Sequence, residues 1–114
     1  MIAYVPVPVP GSIAISKFKS IARSTPSNTL ILDVRDDSEV TGGKIKGALH
    51  IPTQDVAARL SEIPKGKLVI AHCKTGVRAS MAYQTLKDNG YNAMFLNAKI
   101  DIDPKGNIKV TPKF

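Results

Sequence analysis

The stretch KLVIAHCKTGVR, Lys67 to Arg78, decides the reading of this chain. Lys67 to Ala71 is a short continuous apolar run, the pattern of a strand buried on both faces. His72 to Val77 follows as a loop containing Gly76. Arg78 to Asn89 then reads as a helix with Met81, Ala82 and Leu86 turned inward. Asn89-Gly90 is a good stop, because these residues tolerate the conformation that ends helices. Ala93 to Leu96 is the next strand. A strand, a helix and a second strand in this order form a βαβ unit, which implies parallel pairing.

Working outward, Thr29 to Val34 (TLILDV) repeats the buried-strand pattern and ends at a carboxylate. Ser12 to Ser24 places Ile15, Phe18, Ile21 and Ala22 on one face of a short helix. Asp36 to Lys46 is polar, with room for one helical turn near Ser38–Val40. Ala48 to Ile51 is a short strand stopped by Pro52. Thr53 reads as the cap of a helix burying Val56, Ala57 and Leu60. Ile100 and Ile102, then Asp103-Pro104-Lys105-Gly106, then Ile108 and Val110, give a hairpin within Lys99 to Val110. The fold class expected is therefore α/β, a mostly parallel central sheet flanked by helices in three layers, with a C-terminal hairpin-like extension. The organisation expected is an extended Pro-rich segment over residues 1–11, a domain over 12–98 and the extension over 99–114, packed on the same domain.

The chain has 114 residues, with 16 Lys+Arg against 9 Asp+Glu, a net charge of +7. That length suits one domain with its own core. One cysteine excludes a disulfide within the chain, and with only two histidines a Cys/His metal site is not expected. The positive surplus points to anionic partners. Three Tyr, three Phe and no Trp leave few platforms for stacking bases, so nucleic acid is not expected. No apolar run is long enough to span a membrane. The start, MIAYVPVPVP, lacks a basic leader and is interrupted by proline, a poor secretory signal. Its alternating prolines favour an extended edge strand or the tail of a linker. Read as a linker, it makes this domain part of a longer multi-domain chain. The compartment stays open between cytoplasm and bacterial periplasm.

The chemistry gathers at Cys73, at the end of a buried strand and in front of a helix. Functional sites in open α/β sheets lie outside the carboxyl ends of the strands. The backbone N–H groups of Thr75, Gly76 and Val77 can form an anion-binding nest. Gly76 adopts positive φ without steric cost. The helix N-terminus adds partial positive charge, and Lys74 and Arg78 add full charges. All favour the thiolate, which is the nucleophile, and all would hold an anion beside it. His72, the neighbour before Cys73 at the strand end, should face the opposite side of the sheet. His50 is expected to be structural. Asp33 and Arg35 close a neighbouring strand and are read, with Glu39, as supporting residues, with a structural ion pair between Arg35 and Glu39.

These residues resemble the rhodanese homology domain. Leu32-Asp33-Val34-Arg35 is similar to the family's D-V-R strand end, and Glu39 stands where the family usually has an acid. Gly43 to Pro52 resembles its GHIPGA-x-x-IP segment, and Cys73 to Arg78 its six-residue active-site loop. Leu86, Gly90, Tyr91 and Phe95-Leu96 follow its closing helix and strand. The likeness covers about residues 12–98. It departs at Lys44 and Lys46, where the family has His and Pro, and at Asn97-Ala98, where a Gly-Gly pair and a tryptophan-bearing helix usually follow.

The resemblance implies a sulfurtransferase that needs no metal or organic cofactor. Cys73 would take the outer sulfur of thiosulfate or a similar small anionic donor as a persulfide. It would then pass that sulfur to cyanide or a thiol, including a protein thiol. Four residues separate Cys73 from Arg78. Related phosphatases have a loop one residue longer, which makes a phosphatase or arsenate-handling enzyme a remote alternative. A closer alternative is a persulfide carrier or sensor that serves one protein partner.

Overall fold

The structure, a computed structural model, describes residues 9–113. The first eight residues, which carry most of the expected Pro-rich segment, lie outside the described residues. In chain order the elements are α1 (Ile15–Arg23), β1 (Thr29–Asp33), α2 (Asp37–Val40), β2 (Leu49–His50), β3 (Leu68–His72), α3 (Val77–Asp88), β4 (Asn92–Phe95), β5 (Lys99–Ile102) and β6 (Ile108–Thr111). Two 3-10 turns, Thr53–Asp55 and Ala57–Glu62, join β2 to β3.

Four strands form one sheet in the order β2-β1-β3-β4, with every neighbouring pair parallel. The two most apolar runs, β1 and β3, are central, as strands covered on both faces should be. Side chains alternate across them. Leu32, Val69 and Ala71 meet Ala79, Ala82 and Leu86 of α3 on one face. Ile31 and Ile70 meet Phe18 and Ile21 of α1 on the other, joined by Ile100 and Val110 of the hairpin. The α/β class and the flanked parallel sheet are thus as the sequence implied.

The hairpin is a separate antiparallel pair, β5 with β6, in which Ile100 stands opposite Val110. Besides its core packing, two backbone contacts position it. The Ile100 N–H donates to the carbonyl of Lys74 at 3.0 Å. At its tip, Asp103 lies against Gly43, where a Cβ would stand 2.0 Å from the Asp103 carbonyl oxygen. Only glycine admits that approach, and its φ of +146° also favours glycine.

Two local expectations are corrected. Met81 is 57% exposed, not inward. The inward positions of α3 are Ala79, Ala82 and Leu86, and the two small ones let the helix sit close to the sheet. The helix expected after Thr53 is instead the pair of 3-10 turns, interrupted at Arg59 (φ −116°). Val56 is buried as expected, but Ala57 is exposed. The Thr53 hydroxyl does not cap a helix; it donates to the Arg78 carbonyl at 3.0 Å.

Candidate functional site

Cys73 begins the loop between β3 and α3 and is 1% exposed. Gly76 turns the chain into the helix with φ +99°. A Cβ there would press within 3.1 Å of the Leu96 carbonyl and of Asn97. This turn brings two backbone donors onto the sulfur. Cys73 Sγ accepts the Gly76 N–H at 3.0 Å and the Ala79 N–H at 3.3 Å. Ala79 is the third residue of α3, so its N–H is one of the four that a helix leaves unpaired at its start. The sulfur takes the place that a Ser or Asp oxygen takes at an ordinary helix cap. Hydrogen bonds from N–H groups stabilise negative charge on their acceptor, and here that acceptor is a thiol sulfur.

The loop side chains face outward. Lys74, Thr75 and Val77 are exposed, and Arg78 is half-buried. Of the three N–H groups expected to form the nest, that of Gly76 reaches the sulfur, and among the described residues the other donor to it is Ala79. The Lys74 ammonium pairs with the Asp101 carboxylate on β5, and this holds the Asp101 carboxyl below its usual range. Arg78 forms a fork with Glu39, at 2.5 Å to Oε1 and 3.0 Å to Oε2, and lies 3.7 Å from Asp36. The Arg78 hydrogen bonds hold the Glu39 carboxyl down to about 2, and the pairing raises Arg78 in turn.

The expected Arg35–Glu39 ion pair is therefore corrected. Arg35 pairs with Asp33 through both Nε and Nη2, the latter at 2.7 Å. Its Nη2 also donates to the Gly43 carbonyl at 2.8 Å. Burial pushes the Asp33 carboxyl up, but hydrogen bonds from Arg35 and the nearby positive charges leave it below its ordinary value. His50 Nε2 donates to the Arg35 carbonyl at 2.7 Å, a structural contact. His72 lies on the face opposite Cys73, edge-on to Phe18 and 3.8 Å from Asp33 Oδ2. Beside the loop, a depression of about 280 Å³ is lined by Arg35, Glu39, Gly42, Lys74 and residues 100–102.

The rhodanese-like domain family model matches residues 10–99. The chain belongs to the rhodanese-like domain family. Its fold is shared by a rhodanese-like domain protein from Staphylococcus aureus, with a TM-score of 0.71 and 25% identity over 90% of this chain and 98% of that one. A protein of Allochromatium vinosum named sulfurtransferase is 36% identical over 64 residues, 56% of this chain and 60% of that protein. The putative sulfur carrier protein YrkF of Bacillus subtilis is 34% identical over 79 residues, 69% of this chain and 42% of that protein. This rhodanese-like domain thus spans 60% or less of the length of these two curated relatives.

Sequence reasoning missed Ala79 and Asp101. Counting donors in the first turn of the helix finds Ala79, because its role belongs to the backbone. Asp101 is brought to the site by the hairpin, and no spacing along the chain announces it.

Proposed function

We propose that this protein transfers sulfane sulfur through Cys73. The observation that carries the reading is the buried Sγ at the start of α3, with the Gly76 and Ala79 N–H groups donating to it. In the first step the Cys73 thiolate attacks the outer sulfur of a donor such as thiosulfate. A Cys73–sulfur bond forms, the bond to the sulfite group breaks, and sulfite leaves with its electron pair. The persulfide keeps the negative charge, which the loop N–H groups stabilise. In the second step cyanide or a thiolate attacks the outer sulfur and the Cys73 thiolate is regenerated. Lys74 and Arg78 border the path of the donor, Thr75, Gly76 and Val77 form the loop around the sulfur, and Asp33, Arg35 and Glu39 support it. Relatives named sulfurtransferase support the general class.

A second reading, a sulfur carrier that serves one protein partner, is favoured by Val77 and Met81. These two residues, each 57% exposed, place apolar surface on α3 beside the loop. The domain boundaries at 12 and 98, membership of a longer chain, and a cytoplasmic or periplasmic address remain parts of the proposal.

The test is to mix the protein with thiosulfate and weigh it. A gain of one sulfur on Cys73, absent in Cys73→Ser, together with cyanide-dependent turnover, supports the transferase. Stable loading with negligible turnover favours the carrier. No gain with thiosulfate or with an organic trisulfide removes both.

A further inference from the structure

The sulfur site carries less positive charge than its sequence suggests. Arg78 is engaged by Glu39 and lies near Asp36. Lys74, the other cation of the loop, is engaged by Asp101. The backbone enforces this second pairing. The Ile100 N–H bond to the Lys74 carbonyl fixes β5 against the loop. Strand alternation then buries Ile100 and turns Asp101 outward, where it meets the Lys74 side chain. The pair borders the depression that opens beside the loop.

We propose that Asp101 is a specificity-determining residue of the Cys73 site. By holding Lys74, it withholds a cation from anionic reagents and shifts the preference toward charge-neutral donors and acceptors, such as organic trisulfides and neutral persulfides. The statement about donors rests on the sulfur-transfer reading above; the statement about charge does not. Both partners are more than half exposed, and exposed pairs are weak. The effect is therefore a bias in rate, not a closed gate. In water, a unit charge at a separation on the order of 8 Å changes the rate of a monoanion about two- to three-fold and of a dianion about five- to six-fold.

The experiment uses the single cysteine of the chain as its own reporter. Alkylation of Cys73 by iodoacetate and by iodoacetamide is timed by mass spectrometry for wild type, Asp101→Asn and Asp88→Asn. The last removes an exposed carboxylate of α3 that bonds to Gln84. At low salt the iodoacetate-to-iodoacetamide rate ratio is expected to rise about two- to three-fold in Asp101→Asn and to stay put in Asp88→Asn. The rise should vanish in about 0.5 M salt and on adding Lys74→Met. An unchanged ratio in Asp101→Asn, or an equal rise in Asp88→Asn, overturns the proposal. So does a thiol that reacts with neither reagent in the folded protein, since it is closed to both charges. In a parallel arm, thiosulfate loading should rise about five- to six-fold in Asp101→Asn, while attack of the Cys73 thiolate on the central sulfur of a neutral trisulfide, which leaves a mixed trisulfide on Cys73 and releases one thiolate, should not rise. Failure of every donor to load wild type removes sulfur transfer, and the alkylation ratio still decides the role of Asp101.

Discussion

Acid should destabilise this protein through His72 before its carboxylates protonate. The His72 ring is fully buried, and among the described residues neither ring nitrogen makes a hydrogen bond of ordinary geometry. Burial holds its pKa down to about 4 from the ordinary 6.5, with the charge of Asp33 opposing. Between those two values the unfolded chain binds a proton that the native chain refuses, so stability falls as pH falls. The contribution is whole above the unfolded value and is lost progressively toward the folded one. Integrating the two titrations gives a loss of about 2 kcal/mol by about pH 5 and about 3 kcal/mol by about pH 4. Glu39, held down to about 2, contributes with the same sign but mainly below its ordinary 4.5. The window above about pH 5 therefore belongs to His72. The assay is urea unfolding of wild type and His72→Leu at steps from about pH 7.5 to about pH 5. The variant should be at least as stable as wild type at the upper end, because two unpaired ring nitrogens are gone. It should also stay nearly flat across the window. An equal acid slope in the variant, or a flat wild type, would refute the reasoning.

Arg35→Met should cost about 3–5 kcal/mol, because it leaves the Asp33 carboxylate buried without its partner; urea midpoints check this. Gly76→Ala should cost about 1–2 kcal/mol from its positive φ alone. It should also slow alkylation of Cys73, since the displaced N–H no longer reaches the sulfur. Gly43→Ala forces Asp103 away, and amide exchange of β5 and β6 should rise while that of β1 and β3 does not.

The two central strands were readable as buried strands because β1 and β3 are continuous apolar runs, too short for a buried helix and suited to strands covered on both faces. Cys73 was readable because a strand, a thiol, a glycine loop and a helix follow in order. The Arg35 partner was not. A spacing of four suggests an ion pair on a helix, but α2 begins only at Asp37. Glu39 is thus free to reach Arg78, a contact between segments that spacing cannot reveal. Met81 misled because a large apolar side chain outweighs alanine in any periodicity count, while close helix–sheet approach selects the alanines. The Thr53–Leu60 segment has the right apolar spacing for a helix, yet its hydroxyl is taken by Arg78 and its turns tighten.

The depth of Cys73 bears on how this protein meets oxidants. Two sulfurs must come within about 2.05 Å to form a disulfide. A thiol that is 1% exposed beneath its own loop cannot meet its twin on a second molecule while both loops keep their shape. Covalent dimerisation through Cys73 is closed to the folded chain in this conformation. A sulfur atom carried on Cys73 changes that geometry. On the sulfur-transfer reading, it would extend the side chain by about one bond length beyond the buried Sγ. A bulky acceptor could then collect the cargo without ever touching the cysteine that carried it.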